Sequence, residues 1–252
     1  MKAIILAAGV GRRLWPLTAT CPKCLLRFGR QTLFERMLMA LEHAGVREVV
    51  IVVGWLRHMV MDAVDRSETK LTMRYIVNPR YQKGSLLSLW RAREELNEDL
   101  LILDADVLCP PTLLSRLVYS AHDNACLLDP RAVPSGEEMM LAARWGRVWH
   151  IGRQVPGVWE TIGESVGFYK LTEEAGRQLR QNVELCFRQG KIHADYEHAL
   201  LPVLRECVVG YERVDDVPWI EIDTPADVEQ AEHEIGPQLL RSEIDSSWKE
   251  KQ

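Results

Sequence analysis

An α/β fold is predicted, with a mostly parallel central sheet flanked by helices and a small antiparallel addition late in the chain. Three observations predict it. Short, near-continuous apolar runs at 3–8, 48–53 and 100–104 read as strands buried on both faces. Segments with apolar residues at helical spacing lie between them. After about residue 125 the alternation gives way to short runs in quick succession, as antiparallel additions do.

The first run reaches a glycine turn, and the second is β-branched from Val49 to Val53. Between them Leu33, Phe34, Met37, Leu38 and Leu41 fall at offsets of three and four, with Gly45 as the stop, so a helix packs one face on the sheet. The pattern continues with a helix near 56–66, a strand at 73–77, a helix at 86–96 and the strand at 100–104. A parallel sheet covered on both faces is the economical solution. Short strands follow at 125–128, 139–144, 147–151 and 166–171, with longer helices at 173–189 and 194–205. The last strand, near 219–222, ends in Asp223-Thr224-Pro225, where Thr or Asp can cap a helix and Pro suits its first turn. Residues 1–235 read as one domain and 236–252 as a polar tail, a frayed helix or disordered.

The chain has 252 residues, 47% of them hydrophobic, enough for a substantial core. Its 31 basic and 36 acidic side chains give a formal charge of -5, so nothing global attracts nucleic acid or an anionic membrane. Phosphate recognition must be local. The apolar stretch at the N-terminus meets glycines and arginines too soon for a signal peptide or membrane helix, and a cytoplasmic location without membrane insertion is expected. The six cysteines then read as reduced thiols. Cys21 and Cys24 form a C-x-x-C without a second pair or a histidine at finger spacing, which argues against zinc. None of the seven histidines shows triad or metal spacing.

Where the first strand emerges, Gly9, Gly11, Arg12 and Arg13 supply backbone N–H groups and guanidinium forks suited to a polyphosphate. The third Rossmann glycine and the Walker Gly-Lys-Ser/Thr are missing. Pro16 and Pro22 stiffen a loop that returns Lys23 towards the glycines, while Arg12 reads as a solvated charge. Asp104-Ala105-Asp106 follows an apolar strand, so both carboxylates share one face of the extended chain at the sheet edge where ligands of open α/β sheets bind. Magnesium suits such a site, with Asp106 the stronger ligand and Asp104 an orienter or a turn former. Gly84-Ser85 stands at a helix start, where backbone can approach a base edge or Ser85 can cap.

The stretch from Leu6 to Leu26 resembles the signature of the nucleoside-diphosphate-sugar pyrophosphorylase superfamily of nucleotidyltransferases. Residues 78–90, 163–169 and 218–223 are similar to its phosphocholine and phosphonate cytidylyltransferase branch. The resemblance implies a Rossmann-like, GT-A-like nucleotidyltransferase fold whose antiparallel addition binds the acceptor. It implies a nucleotide site of Leu6, Ala8, Gly9, Gly11, Arg13, Lys23, Gly84, Ser85 and Asp104, with Lys23, Arg13, Asp106 and Asp223 catalytic and Mg2+ on Asp106 and Asp223. The alternative for Asp223 is a helix N-cap. The partners implied are CTP, or another nucleoside triphosphate, and a small phosphomonoester, with pyrophosphate released and a homodimer left open.

Departures from the branch leave the acceptor open. The Glu-Lys-Pro segment of sugar-nucleotide enzymes is absent, Arg153 lies where a lysine is common, and Lys83 to Leu87 replace an asparagine pair. Acceptor candidates are Arg153, as a phosphate ligand, and Glu164, Asp195, Tyr196, Glu197, Trp219 and Glu221, since a cationic alcohol needs carboxylates and aromatic faces and an inositol-like acceptor could use the same acids to accept from its hydroxyls. Tyr196 and Trp219 also read as core, and Glu197 as a solvated helix residue. Two rival readings remain, a sugar-1-phosphate nucleotidyltransferase using UTP, dTTP or GTP and a non-catalytic nucleotide-binding subunit.

Overall fold

The computed structural model describes residues 1–132 and 136–241. The chain opens on β1 (Lys2–Ala7), passes three single 3-10 turns (Arg12–Leu14, Leu17–Ala19, Lys23–Leu25) and forms a hairpin of β2 (Arg27–Phe28) and β3 (Gln31–Thr32). Helix α1 (Leu33–His43) follows, started by a capping box in which Thr32 and Glu35 satisfy each other's backbone N–H. Its apolar stripe is buried, as the spacing predicts, and Gly45 at φ 80° ends it.

Next come β4 (Glu48–Val53), α2 (Arg57–Asp65), β5 (Thr72–Val77), α3 (Ser85–Arg91), β6 (Leu100–Asp104), β7 (Val107–Leu108) and α4 (Pro111–Val118). The later half holds β8 (Ala125–Asp129), β9 (Met140–Arg144), β10 (Arg147–Gly152), β11 (Thr161–Leu171), α5 (Glu173–Arg188), α6 (Glu197–Glu206), β12 (Gly210–Arg213), β13 (Ile220–Glu221) and α7 (Pro225–Gln230). A π-helical segment, Ala231–Ile235, continues α7, and residues 236–241 remain helical with Leu239 buried. The polar tail expected at 236–252 therefore begins with six helical residues that bury Leu239, and its remainder, 242–252, lies outside the described residues.

Among the described residues the main sheet has nine strands, with the path β10-β9-β11-β6-β1-β4-β5 and with β8 and β12 extending from β11. The strands β6, β1, β4 and β5 are parallel, and β11 runs antiparallel to β6. One apolar layer packs α1, α2 and α4 on one face and another packs α3, α5 and α6 on the other. Each fully buried valine, leucine or isoleucine there contributes about 1.5–3 kcal/mol relative to exposure. The mostly parallel α/β architecture with an antiparallel addition is therefore the observed one.

Three features position the functional region. β11 pairs with β6 through Phe168–Leu171 and with β9 through Thr161–Glu164, so one long strand joins the parallel sheet to its antiparallel extension. The ribbon of β7 and β13 pairs Leu108 with Ile220 and Val107 with Glu221, bringing chain ends together beyond β6. At the opposite end of β1, buried Lys2 contacts Glu95 at 2.9 Å, and Arg74 reaches the same carboxylate at 3.0 Å.

Candidate active site

The apolar strand β1 must end where its chain turns polar, and beyond Ala8 the glycine loop begins. Gly11 is left-handed at φ 63°, and a Cβ there would meet the Thr18 methyl at 3.1 Å. Thr18 donates its hydroxyl to the Gly11 carbonyl at 2.6 Å, and the Trp55 indole N–H donates to the Thr18 carbonyl at 2.9 Å. The loop is thereby folded back on itself. Lys23 ends beside the strand termini with Cys24 buried behind it.

The Lys23 ammonium lies 2.6 Å from Asp106 Oδ2 and 2.5 Å from Asp223 Oδ1. Arg13 places Nη2 2.5 Å from Asp223 Oδ2 and Nη1 2.6 Å from Glu137 Oε2. The two carboxylates meet because the Ile222 N–H donates to the Asp106 carbonyl at 3.0 Å, extending the β7–β13 ribbon. Thr224, not Asp223, caps α7, with Asp227 completing a capping box, so the cap reading of Asp223 is replaced by its contacts with Lys23 and Arg13.

Charge follows geometry. Burial alone would lower the Lys23 pKa, but the charges of Asp106, Asp223 and Glu221 hold it above the usual lysine value. Burial would raise Asp223, yet Lys23 and Arg13 hold it below the usual carboxylate range. Glu221 moves the other way, pushed up first by burial and then by Asp106 and Asp223.

Asp106, Glu221 and Asp223 each offer an oxygen within 4.8 Å of the others. Asp106 Oδ1 is buried without a hydrogen-bond partner. An orphaned carboxylate oxygen among two other hard oxygen donors fits a divalent cation such as magnesium. Glu221, read from sequence as an acceptor residue, therefore lies with Asp106 and Asp223, the two acids expected to bind magnesium. Asp104 differs from expectation in a related way, because β6 stops there and Asp106 lies in the following turn rather than on one extended face. Both still line the same cavity.

Three adjoining cavities surround this cluster. The first, about 200 Å³, is lined by Leu6, Ala8, Gly9, Lys23, Gly84, Ser85, Asp104 and Asp106, which gathers the sequence-predicted nucleotide residues except Gly11 and Arg13. Gly84 is required sterically by the protein itself, since a Cβ there would stand 2.6 Å from the Ala194 carbonyl oxygen. Ser85 accepts a hydrogen bond from the Tyr196 N–H at 2.9 Å, whereas Gly84 occupies the cap position of α3.

The acceptor candidates divide between the other two. Arg153, Asp195, Tyr196, Glu197 and Glu221 border a cavity of about 230 Å³ shared with Asp104 and Asp106. Arg153 pairs with Asp195 at 3.0 Å. Glu164, Trp219 and Glu221 border one of about 540 Å³. Arg13, Glu137, Glu221 and Asp223 line both, so the pair Arg13–Glu137 stands between them.

Both aromatic candidates are buried at the cavity walls, as their core reading expected: the Trp219 indole donates to Asp129 Oδ2 at 2.8 Å, and Tyr196 is 1% exposed. Glu197 is half-buried rather than fully solvated, and burial and then Asp195 raise its carboxyl above the usual range.

The sequence reading missed Glu137, Glu138, Asp129 and Asp227 in the large cavity. Burial, then the neighbouring charges of Glu138 and Asp129, push Glu164 up to about 7. Glu221 carried a readable signal, because Glu221 and Asp223 alternate along a strand as Asp104 and Asp106 were expected to do.

The profile described as the MobA-like NTP transferase domain matches residues 3–161. The CMP-5'-(3-aminopropyl)phosphonate synthase of Streptomyces rubellomurinus is 28% identical over 245 residues, covering 94% of this chain and 39% of that protein. The CTP:phosphoglutamine cytidylyltransferase of Campylobacter jejuni is 23% identical over 251 residues, covering 91% of this chain and 98% of that one. This chain thus spans well under half of the first relative and nearly all of the second. The solved inositol-1-phosphate CTP transferase of T. maritima superposes with a TM-score of 0.76 at 20% identity, covering 94% of this chain and 95% of that one, which establishes a shared fold.

Proposed function

Because this chain belongs to the MobA-like NTP transferase family, we propose that it is a cytidylyltransferase, moving CMP from CTP to a small phosphate- or phosphonate-bearing acceptor and releasing pyrophosphate. The observation that carries this reading is the meeting of Lys23 with Asp106, Glu221 and Asp223 beside the glycine-loop cavity. The relatives named above that use CTP support the choice of nucleotide.

Such a reaction needs no protein nucleophile, since an acceptor oxygen attacks the α-phosphorus in line with departing pyrophosphate. The backbone at Ala8 and Gly9 cradles the triphosphate, and Lys23 and Arg13 offset its charge. Asp106, Glu221 and Asp223 would hold magnesium, which when bound supplies Lewis-acid charge neutralisation. Lys23 already sits between Asp106 and Asp223, so these carboxylates are oriented before substrate arrives.

The large cavity favours a cationic acceptor. Carboxylates of Asp129, Glu137, Glu138, Glu164 and Asp227 face it with Arg13 and Arg131, and Arg131 is bound to Asp129 at 2.7 Å. Glu164 is pushed up to about 7 first by burial and only then by the charges of Glu138 and Asp129, and an amine or quaternary ammonium would offset that second part. A hexose phosphate offers no such compensation. A non-catalytic subunit would have no use for a lysine held between two metal-ligating acids.

The reading includes a cytoplasmic enzyme; no helix among the described residues is long and apolar enough to cross a membrane. The test is pyrophosphate release with magnesium, crossing CTP, UTP, dTTP, GTP and ATP with phosphocholine, 2-aminoethylphosphonate, inositol phosphate, glycerol phosphate and hexose 1-phosphates. Release with CTP and an amine-bearing acceptor is the expected result. Release confined to a hexose phosphate would refute both the branch and the cationic acceptor.

A further inference from the structure

The aromatic residue of the acceptor-side segment, Tyr196, is 1% exposed and its hydroxyl is bonded to Asp104. We infer that Tyr196 is a positioning residue, fixing the Asp104 carboxylate in the nucleotide cavity and tying residues 193–197 to the nucleotide loop at Gly84–Ser85. The inference rests on the nucleotide reading above.

Its hydroxyl donates to Asp104 Oδ2 at 2.9 Å. Gly167 also stands against that oxygen, since a Cβ there would lie only 2.3 Å from it. Asp104 is thus held between a hydroxyl and the backbone of β11 while lining the nucleotide cavity. The tyrosine is itself constrained: its ring meets Tyr169 edge-on at 6.1 Å and 87°, and the Tyr169 hydroxyl is 2.6 Å from Ser165 Oγ.

The same residue grips the nucleotide loop through its backbone. Its N–H donates to Ser85 Oγ at 2.9 Å, next to the Leu86 N–H that donates to the Ala194 carbonyl at 3.2 Å. The absence of a side chain at Gly84 lets that carbonyl approach. Tyr196 thus joins the end of β6, the start of α3 and the segment carrying Asp195 and Glu197. A buried hydroxyl used only to fill space would need none of these contacts. Its value is that a carboxylate at a sheet edge is pre-aimed before nucleotide arrives.

A double-mutant cycle on nucleotide binding tests this, with CTP and magnesium titrated calorimetrically into wild type, Tyr196→Phe, Asp104→Asn and the double variant. Tyr196→Phe keeps the ring and its contact with Tyr169, and loss of one buried hydrogen bond should weaken CTP roughly fivefold. In the Asp104→Asn background the same substitution should change affinity by less than about twofold, since its effect passes through Asp104. Tyr75→Phe, which removes a hydroxyl bonded to the Met61 carbonyl and Asp65 and not to Asp104, should bind CTP as wild type does.

Wild-type affinity in Tyr196→Phe, or losses that simply multiply in the double variant, would overturn the inference. So would a Tyr196→Phe protein that fails to fold, because the hydroxyl would then be structural. Wild type that binds GTP or UTP in place of CTP refutes the nucleotide choice alone, and the same cycle with that nucleotide then decides the role of Tyr196.

Discussion

Replacing Lys23 by methionine removes the ammonium from between Asp106 and Asp223 while preserving an unbranched side chain. The lysine side chain is 11% exposed, and those of Asp106 and Asp223 are 23% and 32% exposed, so water screens the site incompletely. With the cation gone, three carboxylates with oxygens within 4.8 Å face one another. At an effective dielectric near 20, two unit charges at that separation repel by roughly 3.5 kcal/mol. Proton uptake at Glu221, already pushed up by burial and by these neighbours, relieves part of this. A net loss of about 3 kcal/mol follows, at the lower end for breaking a buried pair. For a chain of this length that lowers Tm by about 6–12 °C, read by calorimetry in metal-free buffer. Magnesium should restore more stability to Lys23→Met than it adds to wild type, where it must displace the ammonium. Turnover should fall roughly 100-fold or more even with magnesium present. A variant that melts within 2 °C of wild type (about 1 kcal/mol or less) and gains no more than wild type from magnesium would refute the reasoning.

Asp223→Asn should lower pyrophosphate release roughly 100-fold and lower Tm by less than Lys23→Met does, because Lys23 keeps Asp106, Arg13 keeps Glu137, and Thr224 and Asp227 still cap α7. Gly167→Ala introduces a Cβ at φ 79° against Asp104 and should weaken CTP binding as well as stability. Gly146→Ala, at φ 72° in open space, should show only the backbone strain of about 1 kcal/mol. Burial would raise Glu95, but hydrogen bonds from Arg74 and Lys2 hold its carboxyl below the usual glutamate value. Its contribution is therefore complete above the unfolded pKa and lost as pH falls through the folded one. The urea-unfolding difference between wild type and Glu95→Gln should be largest near pH 7 and should shrink only as pH falls below the unfolded glutamate value of about 4.3.

The parts legible in the sequence are those that local periodicity specifies. Leu33, Phe34, Met37, Leu38 and Leu41 mark α1, Val49 to Val53 mark β4, and Leu100 to Leu103 mark β6. The convergence of Lys23, Asp106 and Asp223 was legible too, since each stands just beyond a strand or a stiffened loop at one sheet edge. Pairings between distant short segments were not. The β7–β13 ribbon contains two residues on each side, too few for a period to show, and it decides that Glu221 faces the metal ligands. Tyr196 and Asp104 meet only after α6 has docked, and no local pattern tells whether a tyrosine spends its hydroxyl on an acceptor or on its own fold. Glu137 belongs to the connection between β8 and β9, where spacing carries no information about which arginine it will meet.

The β7–β13 ribbon also sets when the site can exist during synthesis. Chain emerging from the ribosome can complete β1, the glycine loop, Lys23 and β6 long before residues 220–223 are available. Until those residues dock, Lys23 and Asp106 face each other without the two acids that make a cation cage, and α7 has nothing to anchor it beside Leu14 and Leu108. A chain stopped before residue 220 would carry the residues that line the glycine-loop cavity but neither Glu221 nor Asp223. The cluster therefore joins the first and last parts of the chain and is complete only when both are present.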